Sequence, residues 1–316
     1  MRAPRWAALL LFTASLWGQD GDAAPTPLTT FAWPVPSAAT VVETVFKDGQ
    51  ESKTRYRLTI ARREGGGIQV RYSDFTFLEV AGVDATKPAM QERLASATAL
   101  ASAIPDVHVR ADGTFEAATG LENVMDKVVD FLAESRGWSD EQRAGVRENM
   151  RSSGMLESLK SSVGQYWESW AGAWIGWTVT PGNKLQEVQP LPVLGVEAKA
   201  EVTTYHFGES AEHPGKLSLE RRLHADGQKF SELMATYVSD LVSRLVGDGD
   251  PEAVLKELTF AVDEKLAVVT DPRTLVPVVA TTERTVTASN AATDERLEEL
   301  ERHRYEFTWD AAKKPQ

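Results

Sequence analysis

Five aromatic residues recur at helical spacing in the middle of this 316-residue chain. At about 100° of rotation per residue, they fall on one side of a helix predicted from Met155 to about Trp177. The five are Tyr166, Trp167, Trp170, Trp174 and Trp177. Aromatic rings give a large contact area at low entropic cost, so such a stripe can bind an apolar ligand. The same spacing is typical of a helix that buries one face in the protein core, and both interpretations stay open.

Residues suited to acid–base or metal chemistry are few and scattered. No two of the five histidines have the i, i+4 spacing of a helical metal site, and no His-Glu-x-x-His motif occurs. The sequence also contains no G-x-S-x-G nucleophile motif, P-loop or G-x-G-x-x-G motif. We therefore predict no catalytic residue, no metal site and no cofactor. The alternative of an enzyme with a dispersed polar site would need a pocket that brings carboxylates to His108 or His224.

The composition excludes several classes of function. The chain has no cysteine, which rules out disulfides, Cys-ligated metals, thiol nucleophiles and lipid attachment through an N-terminal cysteine. Acidic residues number 46 and basic residues 34, so the net charge is −12. Binding to nucleic acid requires clusters of Lys and Arg, and the acidic balance therefore argues against a nucleic-acid partner.

The N-terminal residues have the pattern of a secretory signal. Two arginines precede a mostly apolar run over residues 6–17, which is too short to span a bilayer as a helix. We predict a signal peptide over residues 1–18, with Ala24 as the alternative end. Loss of the two arginines changes the net charge from −12 to −14. No later segment predicts an integral membrane protein, so we expect the mature protein to be soluble and periplasmic or secreted.

The pattern of the remaining chain predicts one α+β domain. Residues 19–38 are rich in Pro and small residues, which indicates a linker ahead of a single domain over residues 39–316. Alternating apolar and polar side chains predict strands in both halves of that domain. Helical spacing over residues 119–177 indicates a helical insertion between the two groups of strands. We expect a curved, half-barrel-like antiparallel sheet packed against helices.

Several local signals refine this expectation. Lys47–Gln50 contains the Asp-Gly signal of a hairpin turn. Capping boxes at Thr119 and Ser139 predict two helix starts. Another strongly periodic helix is predicted over residues 230–245, and the charged stretch over residues 294–302 is interpreted as a solvated helix.

The order of elements resembles that of known secreted proteins. A signal segment, strands, helices and then paired strands, with the turn phrase Asp271–Pro277 between two of them, look like many uncharacterised secreted bacterial proteins. The order is also similar to that of the periplasmic lipoprotein-carrier family. This resemblance implies a curved antiparallel half-barrel that wraps around helices and holds acyl chains. The tryptophan-rich helices and the greater length depart from the carrier pattern, and no functional residue of that family transfers to this chain.

Together these patterns favour an exported, soluble and non-enzymatic binding protein. Its ligand would be a lipid or another hydrophobic molecule, held by the aromatic stripe. The alternative is an envelope structural or protein-interaction protein that has no ligand cavity and docks a partner instead.

Overall fold

The structure, a computed structural model, describes residues 29–151, 153–177, 182, 184–193, 196–228, 230–231, 258–290 and 295–311. The strands within these residues are β1 Ser37–Lys47, β2 Gln50–Arg62, β3 Ile68–Val80, β4 Val83–Asp84, β5 Asp106–Val109, β6 Phe115–Thr119, β7 Lys184–Val193, β8 Val196–Glu209, β9 Leu217–Ala225, β10 Leu258–Thr270, β11 Pro277–Asn290 and β12 Glu295–Trp309. The helices are α1 Pro88–Arg93, α2 Ala95–Ala101, α3 Leu121–Arg136, α4 Asp140–Met150, α5 Ser153–Trp170 and a 3₁₀ helix, Gly172–Trp174.

All the described strands belong to one open antiparallel sheet, which confirms the predicted α+β class. The spatial order is β6-β5-β3-β2-β1-β12-β11-β10-β9-β8-β7, and β4 pairs with β3 at one side. Strands adjacent in the chain are mostly adjacent in the sheet, as short hairpin connections require. β3 also pairs with β5, and β6 and β7 lie at opposite edges. The pairing of β1 with β12 spans the longest stretch of sequence and places the first and last described strands side by side near the middle of the sheet.

Local sequence explains the first hairpin. Asp48 and Gly49 both have positive φ, 52° and 73°, as the Asp-Gly signal predicts for a tight turn. Lys47 then pairs with Gln50, and the register continues to Ser37 opposite Ile60. Val41, Tyr56 and Leu58 consequently face the same side of the sheet and are buried.

One face of the sheet, called the inner face here, carries α5 and the 3₁₀ helix. Their tryptophans pack with the inner side chains of β1–β3, β5 and β9–β12 into a first apolar cluster. A second apolar cluster lies further along the strands β8–β10. Its buried members are Ala200, Val202, Leu223, Ala225, Phe230, Phe260 and Val262. The domain therefore has two apolar centres on one face of the same sheet.

The segment ahead of β1 is packed against the first cluster. Within the predicted linker 19–38, residues 19–28 lie outside the described residues. Trp33 is buried and donates its indole N–H to the carbonyl oxygen of Leu275 over 2.8 Å. Thr29 is also buried, and its hydroxyl donates to the carbonyl oxygen of Trp174. These contacts hold the segment that leads into β1 on the inner side of the sheet.

Three local predictions need correction, while the capping box at Ser139 is confirmed in both directions at the start of α4. The box predicted at Thr119 is wrong, because Thr119 ends β6 and Gly120 serves as the N-cap of α3 without a side-chain bond. The helix predicted to reach Trp177 ends at Trp170, where Ala171 leaves helical geometry. Residues 295–302 form part of β12 instead of a helix. The helix predicted over residues 230–245 lies mostly outside the described residues.

Candidate functional site

The predicted aromatic stripe lies within the first cluster. Trp167, Trp170 and Trp174 are fully buried, and Trp177 is nearly so. Trp170 contacts Phe307 edge-on, with ring centroids 5.3 Å apart, and also packs on Tyr305 and Tyr72. Tyr166 differs from these four, since 41% of its surface is exposed. The structure thus surrounds the tryptophans with the chain's own side chains and leaves Tyr166 facing partly outward.

Hydrogen bonds fix most of the indole rings. Trp167 donates to the carbonyl oxygen of Gly113 over 2.8 Å, and Trp174 donates to that of Ser169 over 3.0 Å. Trp177 donates to the carbonyl oxygen of Ala173 over 2.7 Å. The buried indole nitrogen of Trp170 has no acceptor among the described residues. Hydrogen bonds therefore hold three of the four indole rings of the stripe in place.

The alternative of an enzyme would need a pocket that brings carboxylates to His108 or to His224, which lie on strands far apart in the sheet. His224 is exposed, with Nδ1 2.7 Å from Oδ1 of Asp263 and Nε2 3.4 Å from Oδ2 of Asp226. The hydrogen bond that the imidazole donates to Asp263 is the largest cause that raises the pKa of His224. His108 lies on β5, where burial lowers its pKa. The surroundings of His224 are those of an ion pair at the protein surface near the end of β9.

The sequence patterns did not predict a belt of charged side chains that lies on the inner face between the two apolar clusters. We call it the charged band. Its members are Glu43, Lys47, Arg221, Glu264, Arg284, Glu301 and His303. On β9 the inner positions change from Leu219 to Arg221 to Leu223, and on β10 Glu264 lies between Leu266 and Val262. Along both β9 and β10, the inner side chains thus belong first to the first cluster, then to the charged band and then to the second cluster.

Strand register places opposite charges side by side along the band. Lys47 pairs with Glu301 across β1 and β12, and Glu301 pairs with Arg284 across β12 and β11. Arg284 in turn pairs with Glu264 across β11 and β10. Direct cross-strand partners have Cβ atoms roughly 5 Å apart, so the alternating signs attract each other. This alternation partly offsets the cost of placing charges on a covered face.

One end of the band is a bonded network around His303. Its Nδ1 lies 2.9 Å from Glu43 Oε1, and its Nε2 lies 3.0 Å from Glu301 Oε1. Lys47 Nζ lies 3.0 Å from Glu301 Oε2. Burial acts to lower the pKa of His303, but the hydrogen bonds to both carboxylates outweigh it and raise the pKa to about 9. The bond from His303 lowers the pKa of Glu301 to about 2. The imidazole is therefore cationic at neutral pH.

The other end of the band faces α5. A small cavity of about 10 Å³, room for about one water molecule, is lined there by Glu168, Ala173, Arg221, Leu223, Glu264 and Leu266. Burial raises the pKa of Glu168 to about 7, although the charge of Arg221 opposes this change. Burial also raises the pKa of Glu264, against the charges of Arg284 and Arg221. With a pKa of about 7, the Glu168 carboxyl can exchange a proton near neutral pH.

A signal in the sequence could have revealed the band. Along β9 and β10, one charged residue occupies the same alternating phase as the buried apolar residues. Arg221 and Glu264 each break an apolar run in this way. Such a residue faces the core side, yet its partner can be assigned only when the strand register is known.

The described residues contain no group of three or more His, Asp or Glu side chains arranged to hold a metal ion. Within the same ranges, none of the helices combines the length and apolar character needed to cross a bilayer.

Comparisons with known proteins identify no family. Neither protein-family models nor curated proteins match this chain. Among solved structures, one titled "lipid-protein interactions in lipovitellin" resembles it with a TM-score of 0.37 and 7% sequence identity. The resemblance covers 89% of this chain and 25% of the lipovitellin chain, so this chain spans about a quarter of that protein. At this TM-score the resemblance identifies neither a family nor a function.

Proposed function

We propose that this chain is an exported, non-enzymatic protein that binds an amphiphile, a lipid or another molecule with an apolar part and a polar end. The observation that carries the proposal is the charged band between two apolar clusters on one covered face. Charged groups on a covered face are often less favourable to folding than apolar residues of similar volume. Their presence beside apolar side chains is typical of sites that bind and orient a ligand.

The two clusters suggest where the apolar part of the ligand lies. The first cluster is filled by the chain's own tryptophans. In the second cluster, Phe230 is the one buried apolar member, among the described residues, that lies outside the sheet. Leu223 belongs to this cluster and also lines the cavity beside Arg221. These positions favour an apolar chain that runs from the cavity along the second cluster, with its polar end at the charged band.

The export part of the proposal rests on the N-terminal sequence, which lies outside the described residues. Cleavage after Gly18 would release a mature protein to the periplasm or the medium. Expression with the native N-terminus, cell fractionation and mass measurement of the recovered chain test it. An intact N-terminus in the cytosolic fraction would contradict export and leave ligand binding unaffected.

Binding itself is tested with the neutral amphiphile dodecan-1-ol. We expect the purified protein to form a 1:1 complex in native mass spectrometry and to change its tryptophan fluorescence on titration. Leu223→Ala should weaken this complex because it removes an apolar contact at the cavity. Val83→Ala is the control, since Val83 is 55% exposed on β4, which pairs with β3 far from the cavity. A ligand-free mass with unchanged fluorescence would rule the proposal out.

The alternative, an envelope protein that docks a partner, is favoured by a different surface. Val188 on β7 and Phe207 on β8 are apolar side chains that lie exposed on the outer face near one edge of the sheet. Phe207 stacks on Tyr205 with nearly parallel rings, 5.7 Å between centroids. A partner bound there would lie away from the cavity, so its loss in a Phe207→Ser variant would leave amphiphile binding unchanged.

A further inference from the structure

β7 is an edge strand whose first half is open on both faces of the sheet. Among the described strands it pairs with β8 alone, in one unbroken register from Lys184 to Val193. Residues 184–188 are all exposed, although their side chains alternate between the two faces. Leu185 is 49% exposed on the inner face, and Val188 is 63% exposed on the outer face. The described chain therefore covers neither face of this half of β7.

Two prolines show which way the backbone groups of β7 point. Pro190 and Pro192 lie within the strand and have no N–H to donate. Proline is tolerated in an edge strand where its nitrogen faces away from the neighbouring strand. Backbone groups alternate in direction along a strand, so the N–H and C=O groups of Lys184, Gln186 and Val188 also point away from β8. The free side of β7 thus has donors and acceptors in its first half and lacks donors at the prolines.

The opposite edge of the described sheet is shorter and packs against a helix. β6 has half as many residues as β7, and a Cβ at Gly164 of α5 would lie 3.3 Å from the ring of Phe115 on β6. Short edge strands covered by a helix resist edge-to-edge association. A contact between β7 and β6, which could continue from molecule to molecule, is thereby disfavoured. A contact between β7 and β7 closes after two chains.

We propose that the first half of β7 pairs with the same strand of a second copy of this chain, antiparallel and about a two-fold axis. When Gln186 lies opposite Gln186 of the second copy, Lys184 lies opposite Val188 and Leu185 lies opposite Glu187. The three outward-pointing residues of each copy then exchange about six backbone hydrogen bonds, and the prolines stay outside the pairing. No two like charges face each other directly. This stretch of β7 is therefore complementary to itself.

The dimer is weak and leaves the proposed amphiphile site free. A single short strand pairing buries less than the roughly 800 Å² per chain of a standard stable interface, so we expect a dissociation constant on the order of 10 to 100 µM. β8 lies between β7 and the strands that line the cavity, so the pairing does not depend on amphiphile binding. In dilute protein β7 keeps one unpaired side, and its amides remain open to exchange.

Sedimentation velocity of the purified protein from about 1 µM to about 1 mM tests the pairing. We expect a reversible equilibrium between monomer and dimer, without larger species. Gln186→Pro removes the central donor of each copy, and its nitrogen faces away from β8. This variant should keep the fold and dimerise at least about tenfold more weakly. Gln186→Ala is the matched control, because it loses the same side-chain contact with Thr203 but keeps the N–H, and it should dimerise like the native chain.

The absence of cysteine allows a second test that does not require Gln186→Pro to fold. In Gln186→Cys, the two thiols lie across the two-fold axis with Cβ atoms about 5 Å apart, close to the roughly 4 Å of a disulfide. Val83→Cys is the control, because Val83 is 55% exposed on β4. We expect mild oxidation to trap the Gln186→Cys dimer at least about tenfold faster, since pairing gives its thiols a millimolar effective concentration.

Each outcome supports or overturns the pairing. A dimer that Gln186→Pro weakens and Gln186→Ala keeps, together with fast trapping at Gln186→Cys, supports β7 as the interface. A monomer at every concentration would overturn it and leave the exposed half of β7 to a strand of another protein. Growth beyond the dimer would show that the contact does not close. A dimer that survives Gln186→Pro, or equal trapping rates in Gln186→Cys and Val83→Cys, would place the contact elsewhere.

Discussion

At the scale of single residues, Glu168 makes the stability of the protein depend on pH. Its pKa is about 7 in the folded protein, against 4.5 for an ordinary glutamate. The folded state then binds more protons than the unfolded state between these values, so the free energy of unfolding falls as pH rises through this window. Glu168→Gln removes the titrating group. We compare the free energy of unfolding of this variant with that of the native chain at about pH 8 and at about pH 4. The variant's advantage should be about 1 to 3 kcal/mol larger at about pH 8.

Urea unfolding of both chains at the two pH values measures this difference. Glu148→Gln provides a matched control, because Glu148 is an exposed residue of α4. A gain that is the same at both pH values, or one shared by Glu148→Gln, would contradict the prediction. Such a result would mean that Glu168 is ionised in the folded protein at about pH 6 and above.

The charged band shows how far single residues could be predicted from the sequence. Tyr166 and the tryptophans were found because their spacing repeats within one segment. Glu43, His303 and Glu264 belong to strands far apart in the chain, and register brings them onto one face. The sequence shows that each of them occupies a position in the alternating apolar series of its strand. Their partners, however, depend on a sheet order that no local pattern encodes.

At the scale of elements, α5 is held to the sheet by two tryptophans with different surroundings. Trp167 donates to the buried carbonyl oxygen of Gly113, whereas the indole N–H of Trp170 has no acceptor in the described part of the chain. Phenylalanine at position 167 would remove a hydrogen bond and leave that carbonyl without its donor. At position 170 the same change removes a buried polar group that was already unsatisfied.

We therefore expect Trp167→Phe to lower the free energy of unfolding by about 1 to 3 kcal/mol more than Trp170→Phe does. Both substitutions lose similar apolar volume, so the packing loss largely cancels in the comparison. Chemical unfolding followed by far-ultraviolet circular dichroism gives both values without relying on tryptophan fluorescence. Equal losses would show that the Gly113 bond contributes little to the docking of α5.

The error at β12 also belongs to the scale of elements. Residues 295–302 are mostly Glu, Leu and Arg, which favour helix when considered alone. In the structure they alternate between the two faces of a strand. Glu301 pairs with Lys47 on the inner face, while Arg302 pairs with Glu283 over 3.3 Å on the other. Pairing with β1 and β11 overrides helix propensity, because tertiary contacts outweigh a difference of a few tenths of a kcal/mol per residue.

At the scale of the whole molecule, the first and last of the described strands are neighbours inside the sheet. β1 and β12 pair from Ala39 opposite Trp309 to Lys47 opposite Glu301. Each has a second neighbour, β2 or β11, and each contributes buried residues to the first cluster. β7 pairs with β8 alone and lies at the edge of the described sheet. The sequence predicted the strands and the α+β class, but the pairing of β1 with β12 is long-range and has no local signal.

The sheet order also predicts how the molecule opens. Backbone amides of β1 and β12 have neighbours on both sides and lie over the first cluster, so they exchange with solvent only in large unfolding events. Amides of β7 are released when one strand separates from β8. Hydrogen-exchange mass spectrometry should show slowest exchange in β1 and β12 and fastest strand exchange in β7. Dodecan-1-ol should slow exchange in β9 and β10, beside the cavity, more than in β2. Equal protection of backbone amides in all strands would contradict this prediction, because it would mean that the sheet unfolds as one unit. The charged band would then mark no boundary between two parts of the domain.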